Sequence, residues 1–322
     1  MKLWLKNPLS ILAENAGGGI VVEGTSIVEL VPSGAQPSLP FDSVFDASSH
    51  IILPGLINLH HHFYQTLTRV FPAALNKDLF PWLQTLYPIW AKLSPEALRL
   101  GTRLALAELL LSGCTTTSDH HYIFPSGLEK AIDWQVEEAQ LLGIRVVLCR
   151  GSMDRSQKDG GLPPDSVVQT SDEILEDSER LIHKYHNSNE GAMTQIALAP
   201  CSPFSVSEKV MHESSKLSKK HSVLLHTHLA ETDDENSFCL EKMGCRPLEY
   251  LEQVGWLTNR TWLAHGIHFT DKEIQKLGTS KTGIAHCPSS NMLLSSGVCR
   301  VPELEKSGVP VGIGVDGSAS ND

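Results

Sequence analysis

The stretch "SPEALRLGTRLALAELLLSGCTTTSDHHY", residues 94–122, contains a helix, a stop and a strand in order. Ser94 is a cap residue, Pro95 occupies the first helical position and Glu96 puts a negative charge near the positive end of the helix dipole. Gly113 stops the helix. Thr115–Asp119 is then a short strand rich in β-branched residues, and it ends in Asp119-His120-His121.

This unit recurs along the chain. Strand-like runs fall at Ile57–His62, Thr115–Asp119, Arg145–Cys149, Gln195–Ala199, Val223–His228, Thr261–His265, Gly283–His286 and Val311–Asp316. Helical stretches lie between them. "SDEILEDSERLIHKYH" (171–186) starts at Ser171 or Asp172, with acids in its first turn and bases in its last. "SEKVMHESSKLSKKH" (207–221) and "DKEIQKLG" (271–278) are similar. The strands are apolar runs rather than alternating ones, which predicts a parallel sheet covered on both faces. Eight of them favour an α/β fold of the (β/α)8 barrel type over a doubly wound sheet. Residues 1–50 differ, with β-rich runs at Ile20–Val22 and Ser26–Val31 broken by Gly and Pro. The division predicted is a β segment over 1–50 and the barrel over 51–322.

Composition excludes several classes. The chain has 322 residues, 41% hydrophobic and 20% charged, with a net charge of −11. It carries no basic cluster of the kind that binds nucleic acid. No apolar run approaches the ~18 residues of a membrane span, and the first residues lack a signal-peptide core. Its seven cysteines (114, 149, 201, 239, 245, 287 and 299) are scattered, with no C-x-x-C pair. That pattern suits reduced thiols and a cytoplasmic location.

The strand ends carry the chemistry. They are His60-His61-His62, Asp119-His120-His121, "LLHTHLAE" up to Glu231, His265, His286 and Asp316. One histidine near a strand end is most often structural, but six polar ends around one barrel mouth point to a metal. Side chains alternate along a strand, so His60 and His62 face the mouth together while His61 faces the helices. His60, His62, a histidine of the fifth strand (His226 or His228) and Asp316 form a ligand set, with one position left for water. Glu231 lies within reach of that water. The fourth strand ends "IALAPCSPF", without the lysine that bridges two metals, so a single ion is expected.

"PGLINLHHH", "HTHLAE", "LAHG", "AHCPSSN" and "GVDGSASND" together resemble the amidohydrolase superfamily, in its purine and s-triazine deaminase branch. "HHHFYQTLTR", "ELLLSGCTTTSDHHY", "RGSMDRSQKDGGLPPDSV", "APCSPFSVS" and "HCPSSNM" are most similar to the bacterial 8-oxoguanine deaminases. The resemblance implies one divalent ion, zinc with iron(II) as the alternative, held by His60, His62, His228 and Asp316. It assigns Glu231 as the proton-shuttling acid, His265 as the histidine that stabilises the attacked centre and Asp316 as the base. His226 and His268 become structural. Gln65 matches a purine-contacting glutamine. Trp90, Arg150, Cys201, Ser202 and Asn291 are further substrate-binding candidates from their positions after strand ends.

The implied reaction is hydrolytic deamination of an aromatic N-heterocycle, 8-oxoguanine to urate plus ammonia. The alternatives are a hydroxy-s-triazine aminohydrolase and an isoxanthopterin or guanine deaminase. A non-catalytic relic barrel is the reading of a different class. The partner is a small heterocycle, and a homo-oligomer is compatible with the family. Members of this branch continue past the eighth-strand aspartate with a last helix and strands that complete a small β-sandwich with the N-terminal segment, so a chain ending at Asp322 is expected to be truncated.

Overall fold

The computed structural model describes residues 1–320, and the chain divides into two compact units. The first comprises residues 1–56 with 189–193. Its strands are β1 (Lys2–Lys6), β2 (Ser10–Ile11), β3 (Gly19–Glu23), β4 (Ser26–Val31), β5 (Ser43–Asp46) and β6 (Ile51–Ile52). The main sheet has the order β4-β3-β1-β5, and β2 pairs with β6 apart from it. β3 is antiparallel to both β1 and β4. Trp4, Val21 and Val31 form its small core.

The second unit holds eight strands: β7 (Leu56–Asn58), β8 (Cys114–His121), β9 (Arg145–Ser152), β10 (Thr194–Pro200), β11 (Leu225–Leu229), β12 (Thr261–His265), β13 (Gly283–His286) and β14 (Val311–Ile313). They lie side by side in chain order, and the ladders from β8 to β14 are parallel. The ends meet: Leu59 N donates to Ile313 O at 2.9 Å, Asp316 N donates to His60 O at 2.9 Å, and His61 and Asp316 form a parallel bridge. The sheet is therefore a nearly closed (β/α)8 barrel.

The helices are α1 (Leu79–Trp90), α2 (Pro95–Leu111), α3 (Ala131–Leu142), α4 (Ser171–Tyr185), α5 (Glu208–His221), α6 (Asp233–Met243), α7 (Pro247–Gln253), α8 (Asp271–Ser280), α9 (Pro288–Leu293) and α10 (Val301–Lys306). α2 follows its sequence signals. Ser94 Oγ accepts from Ala97 N at 3.1 Å, and Leu98, Ala105, Leu106 and Leu109 bury one stripe. α4 is capped by Thr170, one residue before the expected start, in a reciprocal box with Glu173. Among the described residues no helix is long and apolar enough to cross a membrane.

Two strands end earlier than expected. β7 ends at Asn58 rather than His62, and β14 at Ile313 rather than Asp316. Asp316 has φ +67, outside the extended region, so a ladder cannot run through it. The two irregular tips nonetheless stay paired, and the mouth of the barrel forms around them.

Candidate metal centre and active site

Three imidazoles converge at the mouth, each held from behind. His62 Nδ1 donates to His120 O at 2.7 Å, and His228 Nδ1 donates to Cys201 O at 2.7 Å. A carbonyl can only accept, so both rings carry their proton on Nδ1 and a lone pair on Nε2. His60 is fixed by a two-step chain. His226 Nδ1 donates to Trp262 O at 2.8 Å, leaving His226 Nε2 to accept from His60 Nδ1 at 2.7 Å. His60 Nε2 therefore also carries a lone pair, and it is buried with no hydrogen-bond partner.

These lone pairs face one another and a carboxylate. His62 Nε2 lies 3.2 Å from His228 Nε2, and Asp316 Oδ1 lies 3.2 Å from the Nε2 atoms of both His60 and His62. Burial, with neighbouring rings adding to it, drives His60 far below the usual imidazole range and His228 down to about 3. The centre thus gathers imidazole nitrogens and one carboxylate, the donor set of a divalent-cation site. The ligand atoms of His60, His228, His265 and Asp316 all lie within 4.8 Å of one another.

His61 stands apart from this centre. Its Nδ1 accepts from His62 N at 2.8 Å, its ring packs edge-on against Phe63, and burial lowers it to about 3. The structure also separates the two β11 histidines: His228 faces the centre, and His226 orients His60 from behind.

Two left-handed residues aim the acid and its neighbour. Ala230 (φ +54) follows β11 and turns Glu231 into the mouth, and His265 (φ +73) ends β12. His265 Nε2 lies 3.5 Å from Glu231 Oε2. Burial first, and then the Asp316 charge, push the Glu231 carboxyl well above the usual carboxylate range.

A pocket opens over these groups. His62, His228, Glu231, His265 and Asp316 form its polar end, and Leu79, Trp82, Leu83, Tyr87, Tyr122, Phe204, Leu294 and Ala319 supply most of the remaining wall. Gln65 and Cys201 line it as expected. Gln65 is tightly placed: Nε2 donates to Tyr64 and Tyr122 hydroxyls at 3.3 and 3.2 Å, and Oε1 accepts from Ser318 N at 3.0 Å. Gly317 makes this approach possible, since a Cβ there would sit 1.8 Å from Gln65 Oε1.

The other four substrate-binding candidates do not line the pocket. Arg150 is buried on the helix side of β9, where its guanidinium bonds Asp177 and Gln169 and lies over the Phe124 ring. β9 runs on to Ser152, so Arg150 lies within the strand rather than after its end. Trp90 packs on Tyr64, Trp82 and Tyr87 and donates Nε1 to Thr68 Oγ1 at 3.2 Å. Ser202 Oγ pairs with Ser205 Oγ at 2.7 Å within a turn. Asn291 Oδ1 accepts from His265 Nδ1 at 2.9 Å, so it acts on a histidine of the site rather than on its ligand.

Sequence reasoning missed the aromatic wall of α1, Tyr122 and buried Glu235. Tyr122 had a signal, as the residue that follows the His120-His121 strand end. Trp82 and Tyr87 had none, because α1 reads as an ordinary apolar segment. A separate Glu179–His183–His221 group lies on α4 and α5, where the Lys220 ammonium already pairs with Glu179.

Comparison with known proteins agrees with this geometry. Residues 51–322 match the Amidohydrolase family. The chain is 60% identical over 324 aligned positions to the 8-oxoguanine deaminase of Pseudomonas aeruginosa, covering 100% of the chain and 72% of that protein. It is 37% identical to an isoxanthopterin deaminase of an unknown prokaryotic organism, covering 90% of the chain and 61% of the relative. It is also 37% identical to the hydroxydechloroatrazine ethylaminohydrolase of Pseudomonas sp. strain ADP, covering 84% of the chain and 56% of the relative. Among solved structures, the zinc complex of an atrazine chlorohydrolase from Arthrobacter aurescens superposes with a TM-score of 0.91 at 28% identity, over 100% of this chain and 73% of that one. On the matched family and this degree of identity, the chain belongs to the amidohydrolase family.

Proposed function

We propose that this chain hydrolytically deaminates a purine-type ring, with 8-oxoguanine as substrate and urate and ammonia as products. The observation that carries the reading is the convergence of three imidazole Nε2 atoms and Asp316 beside the buried carboxyl of Glu231, in a chain 60% identical to an 8-oxoguanine deaminase. The complete polar centre argues against a relic barrel.

His60, His62, His228 and Asp316 are the residues that would hold one divalent cation, zinc as in the zinc complexes of structural relatives. When bound, that ion makes hydroxide available near neutral pH. Trp82, Tyr87 and Phe204 give the planar ring apolar surfaces, and Gln65 with Tyr122 offers polar contacts at its edge. Glu231 gives its proton to the ring nitrogen next to the attacked carbon, which makes that carbon more electrophilic. Asp316 takes a proton from water as the new C–O bond forms. As the imidazolium, with its Nδ1–H held by Asn291 Oδ1, His265 offers Nε2–H to the charge on that oxygen. Asp316 then returns its proton to the amine, the C–N bond breaks and ammonia leaves. Glu231 recovers a proton from the hydroxyl as the carbonyl forms.

The test is a substrate panel on the zinc-loaded chain: 8-oxoguanine, guanine, isoxanthopterin and a hydroxylated s-triazine, followed by ammonia release and ultraviolet change. The highest kcat/KM is expected for 8-oxoguanine. A higher value for the pterin or the triazine reassigns the ring and keeps the chemistry. No turnover on any of them with zinc bound contradicts the reading.

A further inference from the structure

Glu235 is a buried carboxylate beside the site that the reaction above does not use. It lies in the first turn of α6, 1% exposed, behind the cap residue Thr232. The spacing Thr232-x-x-Glu235 is that of a capping box, in which the acid reaches back to the amide of the cap residue itself. α4 and α8 use the same spacing in that way: Glu173 accepts from Thr170 N, and Glu273 from Thr270 N, each at 2.8 Å. Glu235 departs from the pattern. It reaches one residue further and accepts from Glu231 N at 3.0 Å.

The departure matters because of where Glu231 stands. The left-handed turn at Ala230 must be held against its strain for Glu231 to reach the pocket wall. The carbonyl side is held by the loop that follows His265: Gly266 N donates to Leu229 O at 3.2 Å, and Ile267 N and His268 N donate to Ala230 O at 2.9 and 3.0 Å. Glu235 supplies the acceptor on the amide side, for Glu231 and also for the Ala230 amide. Its second oxygen, Oε1, is buried without a partner, so the buried carboxyl is given over to this grip.

We propose that Glu235 is a positioning residue: its carboxyl grips the Glu231 amide and holds the proton-donating side chain at the pocket wall. The proposal rests on the reading of Glu231 as the acid of the reaction. The titratable groups that act on or respond to Glu235 are Glu231, His265 and Cys239, and burial is the main reason its carboxyl is raised to about 7.

The test compares Glu235→Gln and Glu235→Ala in the zinc-loaded chain, by amide exchange over residues 229–236 and by kcat and KM. Gln keeps an acceptor for the Glu231 amide, and Ala does not. Glu235→Ala should expose the Glu231 amide to exchange and lower kcat about 10- to 100-fold, as misplacing a reacting group does. Its KM should stay within about 3-fold, since ring contacts are untouched. Glu235→Gln should restore most of both. If Glu235→Ala leaves the Glu231 amide protected, or melts earlier with kcat unchanged, Glu235 is only a helix cap and the proposal is wrong. Wild type and Glu231→Gln run alongside. Should these show that Glu231 is not the acid, that reading fails by itself, and the exchange data still decide whether Glu235 grips the corner.

Discussion

His62 Nε2 and His228 Nε2 face each other at 3.2 Å, and in the neutral form of each ring that nitrogen is bare, because Nδ1–H is donated to a carbonyl. Two lone pairs at that distance repel unless a positive charge lies between them. Asp316, at 3.2 Å from His60 and His62, adds a negative charge to the same point. A divalent cation held by these groups would relieve that repulsion.

The histidine triplet therefore divides sharply. His62→Ala should lose most of the bound zinc in metal analysis after dialysis. His61→Ala should keep about one ion per chain and lose stability instead, on the order of 1–3 kcal/mol, since it leaves the buried His62 amide without its acceptor. Equal metal loss in both variants would contradict the division.

Asn291 should act through His265. Asn291→Ala is expected to lower kcat about tenfold, the scale of a disturbed catalytic hydrogen bond, with little change in KM. A raised KM with unchanged kcat would return Asn291 to the substrate-contact role that its position after a strand end suggested.

How far the sequence reaches can be judged from such residues. The strands were legible because parallel barrel strands are unbroken apolar runs, and the centre because His and Asp gather at their ends. His60 and His62 come together as alternation suggested, although β7 itself ends at Asn58. Arg150 and Asn291 defeated the same reasoning because strand ends are not fixed to the residue: β9 runs past Arg150 to Ser152, and Asn291 lies within α9, beneath His265. Glu235 was illegible for another reason. An acid in a first helical turn looks the same in sequence whether it caps its own helix or grips the residue before the cap. The choice between His226 and His228 likewise needed either a family pattern or the hydrogen bonds of the fold.

A side chain at Gly317 should displace Gln65. Gly317→Ala puts a Cβ 1.8 Å from Gln65 Oε1, so Gln65 must leave its contacts with Ser318, Tyr64 and Tyr122. The expected result is a KM raised by about tenfold, the cost of roughly one good hydrogen bond, with zinc retained. Unchanged KM would mean that Gln65 and Tyr122 do not shape the substrate end of the pocket.

The outer layer gives a prediction in pH. Asp133 on α3 is gripped by Arg180, Lys184 and Tyr185 at 2.6–3.0 Å. Burial raises its carboxyl, but these donors outweigh burial and hold it well below the usual range. A folded pKa below the unfolded value of ~3.9 gives stability that is present above that pH and lost as pH falls through the folded value. Asp133→Asn should cost about 1.5–3 kcal/mol at neutral pH, with the gap to wild type narrowing below pH ~4. A gap that stays constant on acidification would show that the ion pairs are not its source.

The most direct measurement is ammonia released from 8-oxoguanine by the chain loaded with one equivalent of zinc, set against Glu231→Gln loaded in the same way. The account predicts turnover by the wild type, and a loss of about 10²- to 10⁴-fold in the variant with its zinc retained. A variant that binds zinc and turns over at the wild-type rate, or a zinc-loaded wild type that releases no ammonia, would contradict it.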